Sequence, residues 1–303
     1  MINKSIVIIK RMAAFSLILC CLVFSCALSE EKILIDPENG IWQYESPREK
    51  IEIKKVTDEL NKLIWFEVHL YLSSQHPLIT MATNPDKPGT NYQTPVQIAR
   101  TNHYVFAIND DFFGYRISHK HTIGIVIRNK KIISSATYSR SNSKTPNLDC
   151  MALYPDGTAE VYRSFELTAE EYINKGAYTV LAFGPILIRD GVMNDLLNSY
   201  WKNREPRVGL GLVEPYHYVV VVIEGRHKKS PGANLKLLAE KLMDMGAVQA
   251  LNLDGGQTSA LVFMGEKLNK TSEYSASGHM RTITGMLAAG ISDQVPEYEA
   301  PKK

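Results

Sequence analysis

Residues 250–265, ALNLDGGQTSALVFMG, constrain the fold of this chain more than any other stretch. Two apolar segments, 248–253 and 260–264, flank a polar turn. In an extended segment the side chains at i and i+2 share a face, so Asn252 and Asp254 point the same way where the first strand ends. Gly255 and Gly256 allow positive φ and a close approach of backbone to ligand. Gln257, Thr258 and Ser259 then lead into the second strand. A polar cluster between two buried strands costs free energy unless it is hydrogen-bonded or used. An isolated Asp-Gly-Gly is most simply a tight turn whose aspartate bonds its own backbone. The buried strands on both sides make this one a candidate site.

The chain has 303 residues, enough for one large domain or two small ones. Its 45% apolar and 22% charged residues are those of an ordinary soluble protein. The N-terminus differs. Lys4, Lys10 and Arg11 precede an apolar run over 12–28, the n-region and h-region of a signal peptide. The segment Val23-Phe24-Ser25-Cys26 is similar to a bacterial lipoprotein signal with Cys26 as the lipidated residue, and simple cleavage within 27–29 is the alternative. The expected location is therefore the bacterial periplasm or cell surface, with membrane contact through an N-terminal anchor only. Cys20, Cys21 and Cys26 all lie in this region, which leaves Cys150 alone in the body, without an internal bridge and best read as a small buried residue. Removing Lys4, Lys10 and Arg11 from the 34 basic residues leaves 31 against 32 acidic ones. A near-neutral body gives no electrostatic case for nucleic acid.

Residues 29–56, with Pro37, Gly40 and Pro47, read as an arm or linker, and Trp42 and Tyr44 suggest that part of it packs down. Residues 57–292 read as one domain and 293–303 as a flexible tail. Within the domain, 57–62 suggests a short helix and 63–72 alternates as a strand, with His69 on its exposed phase. Thr94-Pro95 starts a helix, and 105–108 is a buried strand followed by Asn109, Asp110 and Asp111. Asn129-Lys130 and Pro155-Asp156-Gly157 mark hairpins, as does Asp190-Gly191. A helix is expected at 168–174, and another begins at Asn234 and ends at Gly246. Strands are expected at 178–183, 186–188, 208–213, 219–223 and 283–289. The expectation is an α+β domain with a large, mainly antiparallel or mixed sheet and packed helices.

The opening stretch resembles the signature of the phosphodiester glycosidase family, roughly N-L-D-G-G-G-S-S, with Gln257 for the third glycine and Thr258 for the first serine. Other motifs follow in the family's order. Residues 107–113, AINDDFF, resemble A-I-N-G-G-F-F, with Asp110 and Asp111 for the two glycines. Residues 181–191, LAFGPILIRDG, resemble S-G-G-P-L-L-x-x-G, with Gly184 kept and Phe183 for a glycine. Arg207 begins an R-x-x-x-G element, and Glu224-Gly225-Arg226 resembles V-D-G-R with glutamate for aspartate. Arg281 stands where the family also carries an arginine. The resemblance covers about 65–290.

This resemblance implies cleavage of the bond between an anomeric carbon and a phosphodiester oxygen, and N-acetylglucosamine is a candidate sugar. The chemistry needs a carboxylate near an oxocarbenium-like centre, for which Asp254 is the first choice and Glu224 the second. Phosphate charge calls for arginine, so Arg207 and Arg281 are the preferred ligands, with Arg226 nearby. Taken alone, each of these arginines is more often an ordinary surface ion pair. Amides around Gly255 and Gly256 suit an anion nest, and Asn109 and Asn252 suit sugar hydroxyls or an acetamido group. Gly184, Asp110, Asp111, Thr258 and Ser259 complete the expected substrate site; His279, near Arg281, is an option for proton transfer, although a lone loop histidine is more often simply solvated. No cofactor is called for outright. A divalent cation at Asp110 and Asp111, supporting hydrolysis at phosphorus, is one alternative. A non-catalytic cell-surface glycan-binding protein is another.

Overall fold

The computed structural model describes residues 31–75, 77–87, 89–111, 113–120, 123–136, 148–197, 202–273 and 280–300. Of residues 1–31 only Glu31 is described, so the expected signal, including Cys26, lies outside the described residues. Residues 32–303 form one compact unit. In chain order its elements are β1 (Lys32–Asp36), β2 (Ile41–Glu45), β3 (Lys50–Asp58), β4 (Leu63–Tyr71), β5 (Ile79–Ala82), α1 (Pro95–Thr101), β6 (Tyr104–Asn109) and α2 (Phe113–Ser118). There follow β7 (Ile125–Arg128), β8 (Lys131–Ser135), β9 (Asp149–Leu153), β10 (Ala159–Tyr162), α3 (Ala169–Asn174), β11 (Thr179–Phe183), β12 (Ile186–Arg189) and β13 (Val192–Met193). The last are β14 (Arg207–Glu214), β15 (His217–Ile223), α4 (Leu235–Asp244), β16 (Gln249–Asn252), a single 3-10 turn (Gly256–Thr258), β17 (Leu261–Phe263), β18 (Glu266–Lys267) and β19 (Gly285–Ile291).

Among the described residues these strands form three sheets, in the orders β1-β2-β3-β4-β15-β14-β16-β12-β13, β10-β9-β11-β7-β8 and β18-β17-β6-β19-β5. The pairings are antiparallel, so the mixed sheet held open by the sequence is not what forms. The fold is also richer in strand than the α+β expectation, and α4, the longest helix described, has ten residues. One face of the nine-stranded sheet, with Phe66, Val220, Val222, Leu210 and Leu251, packs on Phe106, Phe263 and Leu287 and on Met151 and Leu181 of the other sheets. The opposite face, with Trp65, Val219, Val221 and Ile223, receives Leu235, Leu238, Ala239 and Leu242 of α4. Gly209 makes that contact close, because a Cβ there would stand 2.8 Å from Leu242 Cδ1.

Turn and cap chemistry sets the boundaries. Thr94 Oγ1 accepts from Gln97 N at 3.2 Å and Pro95 opens α1. Thr168 and Glu171 close a capping box on α3, and Asn234 Oδ1 accepts from Leu237 N at 2.9 Å to cap α4. Asn129-Lys130, with φ of 49° and 64°, and Asp190-Gly191, with 53° and 75°, make the expected hairpin turns.

Two expectations change. The supposed arm supplies β1, β2 and β3, hydrogen-bonded into the large sheet, with Trp42, Tyr44, Ile51 and Ile53 in its core. Its Pro and Gly residues sit in the turns between strands. The expected helix at 57–62 is instead the end of β3 and the β3–β4 turn. Asp58 accepts from Asn61 N at 2.9 Å and from Asn61 Nδ2 at 2.7 Å, a local bonding pattern that competes with helix. In the expected tail, Val295 is buried and packs into the main core.

Candidate active site

Antiparallel pairing brings three loops to one place. β6 lies between β17 and β19, with Ile108 opposite Leu261 and Asn109 opposite Met286. Asn109 is fully buried. Its Oδ1 accepts from Ala260 N at 2.9 Å, and its Nδ2 donates to the Asp254 carbonyl at 2.8 Å and the Asp110 carbonyl at 3.2 Å. Asn252, at the end of β16, donates from Nδ2 to the Gly184 carbonyl at 2.8 Å, and Gly184 N donates back to the Asn252 carbonyl at 3.0 Å. Gly184 precedes a cis Pro185. Asn109, Gly184, Asn252 and Asp254 are thus brought together, as the sequence suggested. The two asparagine amides, however, hold the loops to one another through their Nδ2 groups.

Asp254 is the one expected catalytic carboxylate at this junction. Burial pushes its pKa up to about 6, opposed by the Thr258 hydroxyl, the charges of Arg281 and Arg116, and the Gly255 N–H. That N–H donates to Asp254 Oδ1 at 3.0 Å. The Gly256 N–H donates to the Pro206 carbonyl at 2.9 Å. Both amides of the glycine pair are therefore engaged, and the expected anion nest is not open. Gly256 has φ of 62°, and a Cβ on it would lie 3.0 Å from Arg226 Nη2, so the Arg226 guanidinium packs against the turn. Ser259 Oγ and Asn252 Oδ1 are buried and have no hydrogen-bond partner among the described residues.

Arg281 is exposed, and its charge reaches Asp254. Arg226 Nε donates to Glu205 Oε2 at 2.6 Å. Arg207 gives its Nε to the Ala233 carbonyl at 3.1 Å and its Nη2 to the Asn203 carbonyl at 2.9 Å. Burial lowers its pKa to about 10, opposed by Glu205, with Arg226 adding to the depression. Arg207 thus buttresses the loop beneath the glycine turn with donors that the sequence assigned to phosphate.

Asp111 departs furthest from expectation. It is buried, and both carboxylate oxygens are bonded, Oδ1 by Arg128 Nη2 at 2.7 Å and Oδ2 by Ala182 N at 2.8 Å. Asp110 Oδ2 lies 3.6 Å from the same guanidinium. A cation site at Asp110 and Asp111 is disfavoured by that positive charge, and each Asp111 oxygen already accepts a hydrogen bond from the protein. Arg116, on α2, donates to the Ala182 carbonyl at 2.8 Å and the Asp111 carbonyl at 2.9 Å. Arg116 and Arg128 were not singled out from the sequence. The signal was two arginines, 5 and 17 positions after two adjacent aspartates.

Glu224 does not join Asp254. Its Oε1 accepts from Lys270 N at 3.0 Å, and its Oε2 lies 3.0 Å from His227 Nε2, beside a separate cleft of about 640 Å³. His279 lies outside the described residues. Cys150 is buried, with burial raising its thiol to about 12, in line with a packing role.

A buried arginine–aspartate cluster thus lies behind Asp254 at the meeting point of three strand ends on an antiparallel β scaffold. The phosphodiester glycosidase family model matches residues 102–289, which contain all three loops, and the chain belongs to that family. It is 26% identical over 201 residues to an SPbeta prophage-derived uncharacterized protein, YomE, of Bacillus subtilis (strain 168), a match over 64% of this chain and 30% of that protein. This chain therefore spans about a third of that relative's length. The structure is similar to the zebrafish N-acetylglucosamine-1-phosphodiester alpha-N-acetylglucosaminidase catalytic domain auto-inhibited by its pro-peptide. The TM-score is 0.64 at 16% identity, over 82% of this chain and 85% of that one. It is also similar to a hypothetical protein from Synechocystis, with a TM-score of 0.54 at 14% identity over 82% of this chain and 63% of that one. At these identities the likeness concerns the fold.

Proposed function

We propose that this protein is an exported glycosidase that hydrolyses a sugar 1-phosphodiester at the glycosidic C–O bond. The observation that carries the reading is Asp254, held at the junction of three family loops with a pKa near 6 and with Arg281 and Arg116 acting on it. At neutral pH the carboxylate is ionised and stabilises positive charge developing at the anomeric carbon, as nucleophile, base or electrostatic partner. Arg281 binds the departing phosphate, and Ser259 Oγ and Asn252 Oδ1 accept or donate to sugar hydroxyls. Water adds to the anomeric carbon, and the phosphate oxygen leaves with the bonding pair as a phosphomonoester. Such a group carries its charge readily at neutral pH, so a strong general acid is unnecessary. Residues 1–28 direct export, and Cys26 is the proposed lipid anchor.

The test is to incubate residues 29–303 with an N-acetylglucosamine 1-phosphodiester and follow released sugar by proton NMR, beside Asp254→Asn and with or without chelator. Release by the parent, insensitive to chelator and lost in the variant, supports the reading. Binding without release identifies a glycan-binding protein, and loss of release in chelator a metal-dependent phosphodiesterase.

A further inference from the structure

We infer that the cleft beside Glu224 is a binding site for a polyanionic chain, so that the substrate is a polymer of phosphodiester-linked units rather than a small sugar phosphodiester. Lys55, Lys62, Lys228, Lys229 and Lys270 all line this cleft of about 640 Å³. Its acidic lining is Glu59, Glu224 and Glu273. Two of these are engaged locally: Glu224 by Lys270 N and His227, and Glu273 by Lys228 N at 2.7 Å. Without Lys4, Lys10 and Arg11 the chain carries 31 basic against 32 acidic residues, so five lysines in one concavity are a local concentration and not a background. Charge of one sign in a cleft attracts and orients a counter-charged ligand. A row of flexible ammonium groups suits successive phosphates as point charges, without the planar geometry that arginine imposes.

The segments that line the cleft are hydrogen-bonded to the loops around Asp254. Gly225 N donates to the Lys270 carbonyl, and the next residue, Arg226, packs on Gly256. On the other wall Asn269 Nδ2 donates to the Ser259 carbonyl at 3.1 Å, and its Oδ1 accepts from Leu261 N at 2.8 Å, tying the lysine-bearing segment to the Thr258–Ser259 loop. The lysine-bearing segment is thereby fixed to the loop that follows Asp254, so that the neighbouring phosphates of a bound chain fall to its lysines. This inference uses the glycosidase reading for the scissile unit, while the polyanion site itself stands on the cleft alone.

Lys228 and Lys229 are exposed, so Lys228→Gln/Lys229→Gln leaves the fold intact. The experiment has two arms. In the first, kinetics are measured on a sugar 1-phosphodiester with an uncharged aglycone and on an oligomer of several phosphodiester repeats. KM for the oligomer should rise about fivefold in the variant, the effect expected of two exposed charges, while kcat on both substrates and KM for the small one stay unchanged. An equal effect on both substrates, or none on either, overturns the inference. In the second arm, fluorescence anisotropy follows linear inorganic polyphosphate binding to parent and variant, with no turnover required. Binding that weakens in the variant and with added salt supports the cleft even if the glycosidase reading fails. Absence of binding by the parent overturns the inference whatever the activity.

Discussion

The Asn109 side-chain amide donates to the Asp254 backbone carbonyl across 2.8 Å, joining two loops that lie 145 positions apart. The same amide's oxygen accepts from Ala260 N, so one buried residue fixes the strand on either side of the catalytic turn. Asn109→Ala removes three hydrogen bonds and strands the Ala260 N–H in a buried site. The expected cost is about 2–4 kcal/mol, at roughly 1 kcal/mol per lost bond plus the penalty of a buried unpaired donor. Denaturant unfolding of the variant measures it, and hydrolysis should fall with it even where the protein remains folded, because Asp254 loses its support.

Arg128 and Asp111 form a buried ion pair at 2.7 Å. Removing one partner leaves an uncompensated charge, so Arg128→Met should destabilise by about 3–5 kcal/mol. Replacing both, as Arg128→Met/Asp111→Leu, should cost less than the sum of the single changes. A double-mutant cycle from denaturation midpoints gives the coupling, and additive effects would show that the pair is not what holds α2 and β11 to the loop.

Asp254 makes stability and activity respond to pH in opposite directions. Its folded pKa of about 6 stands above the ordinary aspartate value of 3.8, so the folded state binds the proton more tightly than the unfolded one. The stability contributed by the neutral carboxyl is present below pH 3.8 and is lost as pH rises through about 6. Asp254→Asn, which stays neutral, should therefore be more stable than the parent above pH 6, by up to about 2–3 kcal/mol from the linkage of a two-unit shift, with the gap closing toward pH 4. Thermal melts across this range test the sign. Because the ionised carboxylate does the chemistry, kcat/KM should rise about tenfold per pH unit below 6 and level off above it.

Gly256 holds a left-handed conformation with Arg226 Nη2 against the place a side chain would take. Gly256→Ala should cost about 1–2 kcal/mol in backbone strain and push the guanidinium away from the turn. Calorimetry and KM for the phosphodiester read the two effects separately.

The strands around the site were legible because the apolar runs 105–108, 219–223 and 260–264 are short, buried and punctuated by Gly, Asn and Asp. The capped helices were legible for the same local reason: Thr94-Pro95 and Asn234 act within one turn. The arm was misread because Pro37, Gly40 and Pro47 dominate its composition, whereas its alternating Ile51 and Ile53 become core only through pairing with β4, which no local signal reveals. The site divides likewise. Asp254 stands out by its neighbours in sequence. Which oxygens of Asp111 remain available depends on Arg128, 17 positions away, and on Ala182, 71 positions away, and those contacts exist only after folding. Glu224 was the second choice as a carboxylate at a strand end, and the side to which it turns is set by Lys270 and His227.

The most direct test of the central claim is to run the hydrolysis of a sugar 1-phosphodiester in heavy-oxygen water and locate the label by mass spectrometry. Attack at the anomeric carbon places the heavy oxygen in the released sugar and leaves the phosphomonoester unlabelled, with Asp254→Asn releasing neither product. Label in the phosphomonoester would show P–O cleavage and contradict the assignment of Asp254 to glycosidic chemistry.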